Sequence, residues 1–501
     1  MKKNNLLSGA FLLSVGGVLA KLFSAIYRIA LTRILGGEGI GIYQLIFPFY
    51  SLCVVLATAG LPMAISKVVA KNQSKEKSIL KKCFMFTGII ALSLVFVLLI
   101  SSKGLASLQG NKDISICYVI LAPTILLISV SSVLRGYFQG KHNFTPSMLS
   151  NILEQFVKMI VGLILSLALV GISLIASIIG AIVGIVVSEI ISVVILLLYF
   201  KKEKFKRNKK GKVSIKEITK DLLPITMTNI ILPISSFIDS VLVVNLLNIN
   251  FSNNVSVFLY GLESGAVSTM VSLPTIFSFA IASVILPNIT NSKNLFNRNN
   301  KLSIAIKTIL IITVPCVIAF ILLPDRLLNL LYASKLNSFG LNGISIASKL
   351  LVWSGLGIVF LAINQIYSSS LQAIEQRYVT IRNLTISVIL KFVIEIIFMP
   401  SKHLNILTLA IANTVCYVSV MLLNHMEIKE NFKIKINYIF TAKLVLANCL
   451  LIVAILGVMI LSNSYVNTLL AIMLGIMVYL YSLYKLKIFN RRDLAMLKYK
   501  V

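Results

Sequence analysis

The chain has 501 residues, of which 58% are hydrophobic and 13% charged, with a mean hydropathy of +0.95. Soluble domains carry about a quarter charged residues, so this composition excludes an ordinary water-soluble fold. The formal charge is +31, but no aromatic-interleaved basic module accompanies it, which argues against nucleic acid as a partner.

A spanning helix needs roughly 20 apolar residues, and a barrel strand about ten of alternating polarity. The long aliphatic runs here predict an all-α polytopic membrane protein. Fourteen transmembrane helices are expected, near 6–34, 43–66, 83–102, 114–134, 149–170, 172–200, 222–247, 257–287, 302–323, 345–371, 380–399, 404–424, 438–461 and 466–486. The basic, apolar N-terminus reads as a retained first helix, because its pattern continues past Lys21 and Arg28 to Leu35. Only Gly171 and Ser173 mark a turn within 149–200; two helices fit that length and one does not. The stretch L-G-G-E-G-I-G at 35–41 lacks G-K-[ST] and reads as a flexible connector, not a phosphate loop. Pro48, Pro62, Pro224, Pro233, Pro274 and Pro315 fall within or at the ends of spans, as packing kinks or hinges.

The six cysteines are scattered without a C-x-x-C pair, so they read as small buried hydrophobes. His142, His403 and His425 lie far apart. No metal site and no cofactor are expected.

Loop charge sets orientation, since Lys and Arg accumulate on the cytoplasmic side. Segment 67–82 carries six lysines, and 201–220 (KKEKFKRNKKGKVSIKEITK) is the most basic stretch. Loops near 293–301 and 429–435 and the C-terminal tail continue the pattern. The alternate loops carry little beyond Lys103, Lys112, Arg326, Lys335 and Lys402, and NINFSNNVS at 248–256 has no charge. Both termini are therefore expected in the cytoplasm, with most of the positive charge facing anionic lipid.

A repeat crosses the central basic segment. Ser24–Leu35 aligns with Ser235–Leu246 without a gap, placing Arg28 opposite Asp239. Pro48 and Pro62 resemble Pro274 and Pro287, and Ser132–Gln139 resembles Ser370–Gln376. Each of the last two segments precedes a helix with a lysine, Lys158 or Lys391. The expected organisation is an N-terminal six-helix lobe at 1–200, a basic cytoplasmic linker at 201–220 and a C-terminal six-helix lobe at 221–425. An appended helix pair with a basic tail follows at 426–501. Such parallel repeats occur in transporters.

An ionised side chain at the bilayer centre costs roughly 2.5–3.5 kcal/mol on insertion scales. Lys21, Ser24 and Arg28 share one helical face, and their helix has no acid before Glu38. Two cations so placed call for a hydrated cavity and an anion, and the planar fork of arginine suits phosphate. Glu154 and Lys158 are spaced i,i+4 and are expected to pair, as are Lys391 and Glu395 in the reverse order. These pairs have a purely structural reading beside the functional one. Asp239 sits mid-helix in the seventh span, Glu263 early in the eighth and Glu189 deep in the sixth.

The strings K-L-F-S-A-I-Y-R-I-A-L-T-R-I-L-G-G-E-G-I-G-I-Y-Q-L-I-F-P and A-T-A-G-L-P-M-A-I-S-K carry a resemblance, as do L-R-G-Y-F-Q-G, E-Q-F-V-K, L-Y-G-L-E-S-G and L-P-T-I-F-S-F-A. Over essentially its whole length the chain resembles the stage V sporulation protein B and polysaccharide-exporter family. That family lies within the multidrug, oligosaccharidyl-lipid and polysaccharide exporter superfamily. The resemblance implies two pseudo-symmetric six-helix lobes around a central cavity that alternates between inward-open and outward-open. It implies outward flipping of a polyprenyl-pyrophosphate-linked sugar, such as the peptidoglycan precursor lipid II, for spore cortex or cell wall synthesis. Arg28 and Lys21 match cavity cations that engage pyrophosphate in relatives, with Ser24, Glu154, Lys158 and Glu263 as further cavity candidates. Asp239, Lys391 and Glu395, with Asn413 and Thr414, resemble a sodium site in some relatives. Here Lys391 replaces a neutral ligand, and its ammonium would stand in for the cation. The implied partners are the lipid-linked oligosaccharide, membrane lipids and cell-wall or sporulation machinery, with the chain a monomer. The alternative is a cation-coupled multidrug or small-metabolite antiporter. An embedded glycosyltransferase is disfavoured, because no large loop with clustered acids or histidines is present.

Overall fold

The computed structural model describes residues 4–58, 60–71, 75–203, 215–290, 295–432, 438–460 and 465–488. Residues 204–214 of the basic linker, 72–74, 293–294 and 433–435 of the inner loops and the tail beyond 488 lie outside the described residues. The helices are α1 (Asn4–Thr58), α2 (Leu61–Lys71), α3 (Glu76–Leu108), α4 (Ser115–Gly140), α5 (Thr145–Leu169), α6 (Leu174–Lys201), α7 (Ile215–Leu247) and α8 (Asn253–Gly261). They continue with α9 (Ser268–Thr290), α10 (Leu295–Leu322), α11 (Pro324–Tyr332), α12 (Gly343–Ala373), α13 (Arg377–Phe398), α14 (Leu407–Asn431), α15 (Tyr438–Met459) and α16 (Tyr465–Lys485). The protein is an all-α, multi-pass membrane protein.

Twelve helical stretches among the described residues are long and apolar enough to cross a bilayer. The first, Val15–Ala70, is 56 residues long and at 1.5 Å per residue holds two crossings. The remaining expected span, the eleventh at 380–399, is α13, whose 22 residues include Arg377, Arg382, Lys391 and Glu395 and which is not among the twelve. The connector expected at 35–41 is instead helical on both sides of a single break at Gly36, with φ 69° and ψ −175°. That backbone region is essentially reserved for glycine, so one residue makes the turn that the sequence suggested for seven. The eighth span is also less regular than expected, because α8 passes through a π-helical turn at Leu262–Val267 before α9.

The chain divides into two compact units. Unit 1 comprises Met1–Thr269, Lys335–Leu341 and Glu395–Ile406, and unit 2 comprises Met270–Ser334, Asn342–Ile394 and Leu407–Val501. In unit 1, Leu61, Ile65, Val69, Tyr137, Phe138 and Leu196 form a closed apolar core joining α2, α4 and α6. The α5–α6 pair packs through small residues, with Ser166 and Ser177 hydroxyls 2.8 Å apart, as expected where lipid offers no hydrophobic drive between helices. In unit 2, one core gathers Ile289, Leu302, Ile309, Ile366 and Ile428. Another sets α15 and α16 against α10 through Leu444, Leu451, Ile455 and Tyr479, and the Tyr479 hydroxyl donates to the Ile311 carbonyl at 2.8 Å. Exposed side chains such as Phe96 and Ile100 on α3 are apolar, the pattern of a surface bathed in lipid.

Segments read as outer connectors meet within unit 1. The Lys335 carbonyl lies against Gly36 and the Leu336 carbonyl against Gly37. Asn250 Nδ2 donates to the Pro400 carbonyl at 2.6 Å. At the ends read as inner, Lys141 pairs with Glu203 and with Glu76 at 3.6 Å. Burial opposes the Lys141 charge, but the bonds to Glu203 and Tyr137 outweigh it and hold the ammonium above its ordinary range.

Candidate functional site

The charged interior of unit 1 is built by α1, α4, α5 and α6. Arg135 on α4 donates from Nη2 to Glu154 Oε2 at 2.7 Å and to Ser192 Oγ at 2.8 Å, and from Nε to Ser150 Oγ at 3.1 Å. Ser192 donates on to Glu154 Oε2 at 3.3 Å, and Gln155 donates to Glu154 Oε1 at 2.9 Å. Glu154 is therefore held by α4 and α6, and the expected i,i+4 pair with Lys158 does not form. The planar fork of Arg135 reaches Glu154, Ser150 and Ser192 together, a set of bonds that a same-helix ammonium does not match. Lys158 turns instead toward α1, with Nζ 5.3 Å from the centre of the Tyr27 ring, a cation–π arrangement. The Tyr27 hydroxyl lies 3.3 Å from that of Tyr43 and donates to the Ala181 carbonyl at 3.5 Å.

Arg28 follows Tyr27 directly, and its charge acts on Lys158, Tyr27 and Tyr43. Among the described residues, neither Arg28 nor Lys158 makes an ion pair. Glu189 is buried on α6 at 7% exposure, within the field of Glu154, Arg135 and Lys158. Cations outnumber acids in this cluster: Arg28, Arg135 and Lys158 face Glu154 and Glu189. Lys21 and Ser24 sit half-buried on α1, two turns and one turn before Arg28.

Asp239 on α7, Glu263 in the π-helical turn and Glu395 on α13 all belong to unit 1. Asp239 and Glu395 both act electrostatically on the buried Tyr260. Lys391 is buried one turn before Glu395. The face of α13 that is buried carries Thr380, Asn383, Ser387, Lys391 and Glu395, in steps of three and four, whereas Ile386, Ile389, Leu390, Val393, Ile396 and Ile397 are exposed. Asn383 donates to Asn424 at 2.9 Å, and Asn424 donates to Asn364 at 2.7 Å. Asn413 and Thr414 lie on α14 in unit 2, where the Thr414 hydroxyl donates to the Trp353 carbonyl at 2.8 Å. Among the described residues no three of His, Cys, Asp and Glu converge as a metal-ligand set.

Sequence reasoning overlooked Arg135 as a charged core residue. The expected fourth span stopped at 134, leaving Arg135 at a loop edge, whereas α4 continues to Gly140. The glutamates on α5 and α6 were a signal that a buried cation must lie opposite them.

The polysaccharide biosynthesis protein family model matches residues 6–293. Stage V sporulation protein B of Bacillus subtilis is 25% identical over 353 residues, 67% of this chain and 68% of that protein. Lipid II flippase MurJ of the same organism is 24% identical over 427 residues, 78% and 77% of the two chains. A solved structure of lipid II flippase MurJ, inward closed, superposes with a TM-score of 0.70 at 20% identity, covering 97% of this chain and 100% of that one. An inward-facing multidrug resistance MATE family transporter superposes at 0.66 with 16% identity, over 86% and 99%. At these identities the two superpositions establish the fold alone.

Proposed function

We propose, for a chain that belongs to the polysaccharide biosynthesis protein family, the role of a flippase for a polyprenyl-pyrophosphate-linked sugar. The chain works by alternating access of two lobes, 1–200 and 221–425, with both termini in the cytoplasm. Its cargo is lipid II or a related cell-wall or spore-cortex unit, and it acts as a transporter, not a catalyst. One observation carries the reading: among the described residues neither Arg28 nor Lys158 has an ion-pair partner, Lys158 lies over the ring of Tyr27, the residue before Arg28, and the cluster's one short carboxylate contact is already taken by Arg135. Two cations in that state are stabilised by an incoming dianion, and a pyrophosphate offers one with oxygens placed for a guanidinium fork. The resemblance to lipid II flippase MurJ and stage V sporulation protein B supports a lipid-linked cargo.

The test is lipid II translocation in proteoliposomes. Arg28→Ala is expected to slow flipping at least tenfold, and Lys158→Met several-fold, with both proteins still monodisperse. Translocation at the wild-type rate by Arg28→Ala would remove the pyrophosphate role. A broad drug-resistance phenotype in an efflux-deficient host, without lipid II flipping, would favour the antiporter reading.

A further inference from the structure

Gln109 ends α3 and is completely buried. Both N–H donors and the carbonyl oxygen of its side-chain amide are bonded. Nε2 donates to the Leu45 carbonyl at 2.8 Å and to Ser240 Oγ at 2.9 Å. Oε1 accepts from the Tyr118 hydroxyl at 2.7 Å. Ser240 in turn donates to the Phe237 carbonyl at 2.8 Å, so the chain of donors runs in one direction without a conflict. Leu45 and Tyr118 belong to the stretch read as the first lobe, and Ser240 to the second. All of these residues lie in unit 1.

Neighbouring bonds cross the same boundary. Asn245 Nδ2 donates to the Leu108 carbonyl at 3.0 Å, and Asn253 Nδ2 donates to the Gly110 carbonyl. Phe49 packs against Phe237 with ring centres 5.0 Å apart and the rings tilted by 58°. Gly110 has φ 76°, and a Cβ there would meet Asn253 Oδ1 at 2.4 Å. Apart from the Phe49–Phe237 pair, the contact is built on polar groups that water can replace, at the level of connectors read as outer. A permanent helix–helix interface in lipid would leave such groups nowhere to go once separated. An interface that opens to water loses little by parting, since each amide bond exchanged for one to water is worth about 1 kcal/mol.

We propose that Gln109 is the central positioning residue of an outer gate, holding α1, α4 and α7 together in the closed state and exchanging Ser240 for water when the gate opens. The proposal rests on the two-lobe reading above but not on the identity of the cargo.

The test uses a background with the six native cysteines replaced that keeps the wild-type melting temperature. Val244→Cys, fully buried one turn beyond Ser240 on α7 and outside the hydrogen-bonded cluster, serves as the outer reporter and Ser24→Cys as the inner one. A membrane-impermeant thiol reagent is applied to one face at a time. Gln109→Leu is expected to raise outer labelling of Val244→Cys at least fivefold and to lower inner labelling of Ser24→Cys. General loosening of the fold would raise both rates and overturn the proposal, as would an unchanged outer rate. Should Gln109→Leu not fold, Asn253→Ala removes a neighbouring bond and is expected to raise the outer rate at least twofold; no change there likewise overturns the proposal. Labelling requires no cargo, so failure of lipid II transport leaves this outcome readable. Silence of the Ser24→Cys reporter from both faces would count against the cavity reading alone.

Discussion

Arg135 donates to Ser150, Glu154 and Ser192 at once, and so ties three helices through one guanidinium. Removing it leaves the Glu154 carboxylate in a largely closed interior with only Ser192 and Gln155 as donors. Breaking one side of a buried ion pair costs about 3–5 kcal/mol. Arg135→Met should therefore lower the thermal unfolding midpoint in detergent markedly, and adding Glu154→Gln should recover part of the loss by removing the stranded charge. An unchanged midpoint in Arg135→Met would show that the pair carries no stability. The i,i+4 spacing of Glu154 and Lys158 was legible from sequence, but their partners were not. Arg135 lies 19 residues from Glu154, and Tyr27 lies on another helix from Lys158, so tertiary approach chose between acceptors that periodicity leaves equivalent.

At the scale of helices, apolar run length was enough to place the long helices, because the bilayer fixes how many residues a crossing needs, although α13 is not among the twelve stretches apolar enough to cross. It was not enough to place breaks, which depend on single backbone conformations such as Gly36. Close approach is equally invisible in one sequence. A Cβ on Gly261 would lie 2.4 Å from the Gly41 Cα, so α8 rests on α1 backbone to backbone. Gly261→Ala should destabilise by at least about 1–3 kcal/mol, as overpacking does. Gly104 on α3 has nothing within 4 Å of its missing Cβ, and Gly104→Ala should be neutral or stabilise by about 0.5–1 kcal/mol through helix propensity. Melting temperatures of the two variants, purified in parallel, check the contrast.

For the molecule as a whole, the coupling ion is open to a direct measurement. On the proposal that the chain is a flippase in which Lys391 stands in for a metal cation, translocation is expected to persist in sodium-free vesicles; strict sodium dependence would refute this. The face of α13 described above also bears on how the protein is made. A helix whose inward side is a ladder of Thr380, Asn383, Ser387, Lys391 and Glu395 is a poor client for the translocon on its own. A central lysine alone opposes membrane entry by about 2.5–3.5 kcal/mol. On that ladder Asn383 finds its partner in Asn424 on α14, which in turn donates to Asn364 on α12. The expected order of biogenesis is that α13 waits at the translocon until α14 has been synthesised. Glycosylation mapping should find that α13 alone fails to insert while α12–α14 enters as a group.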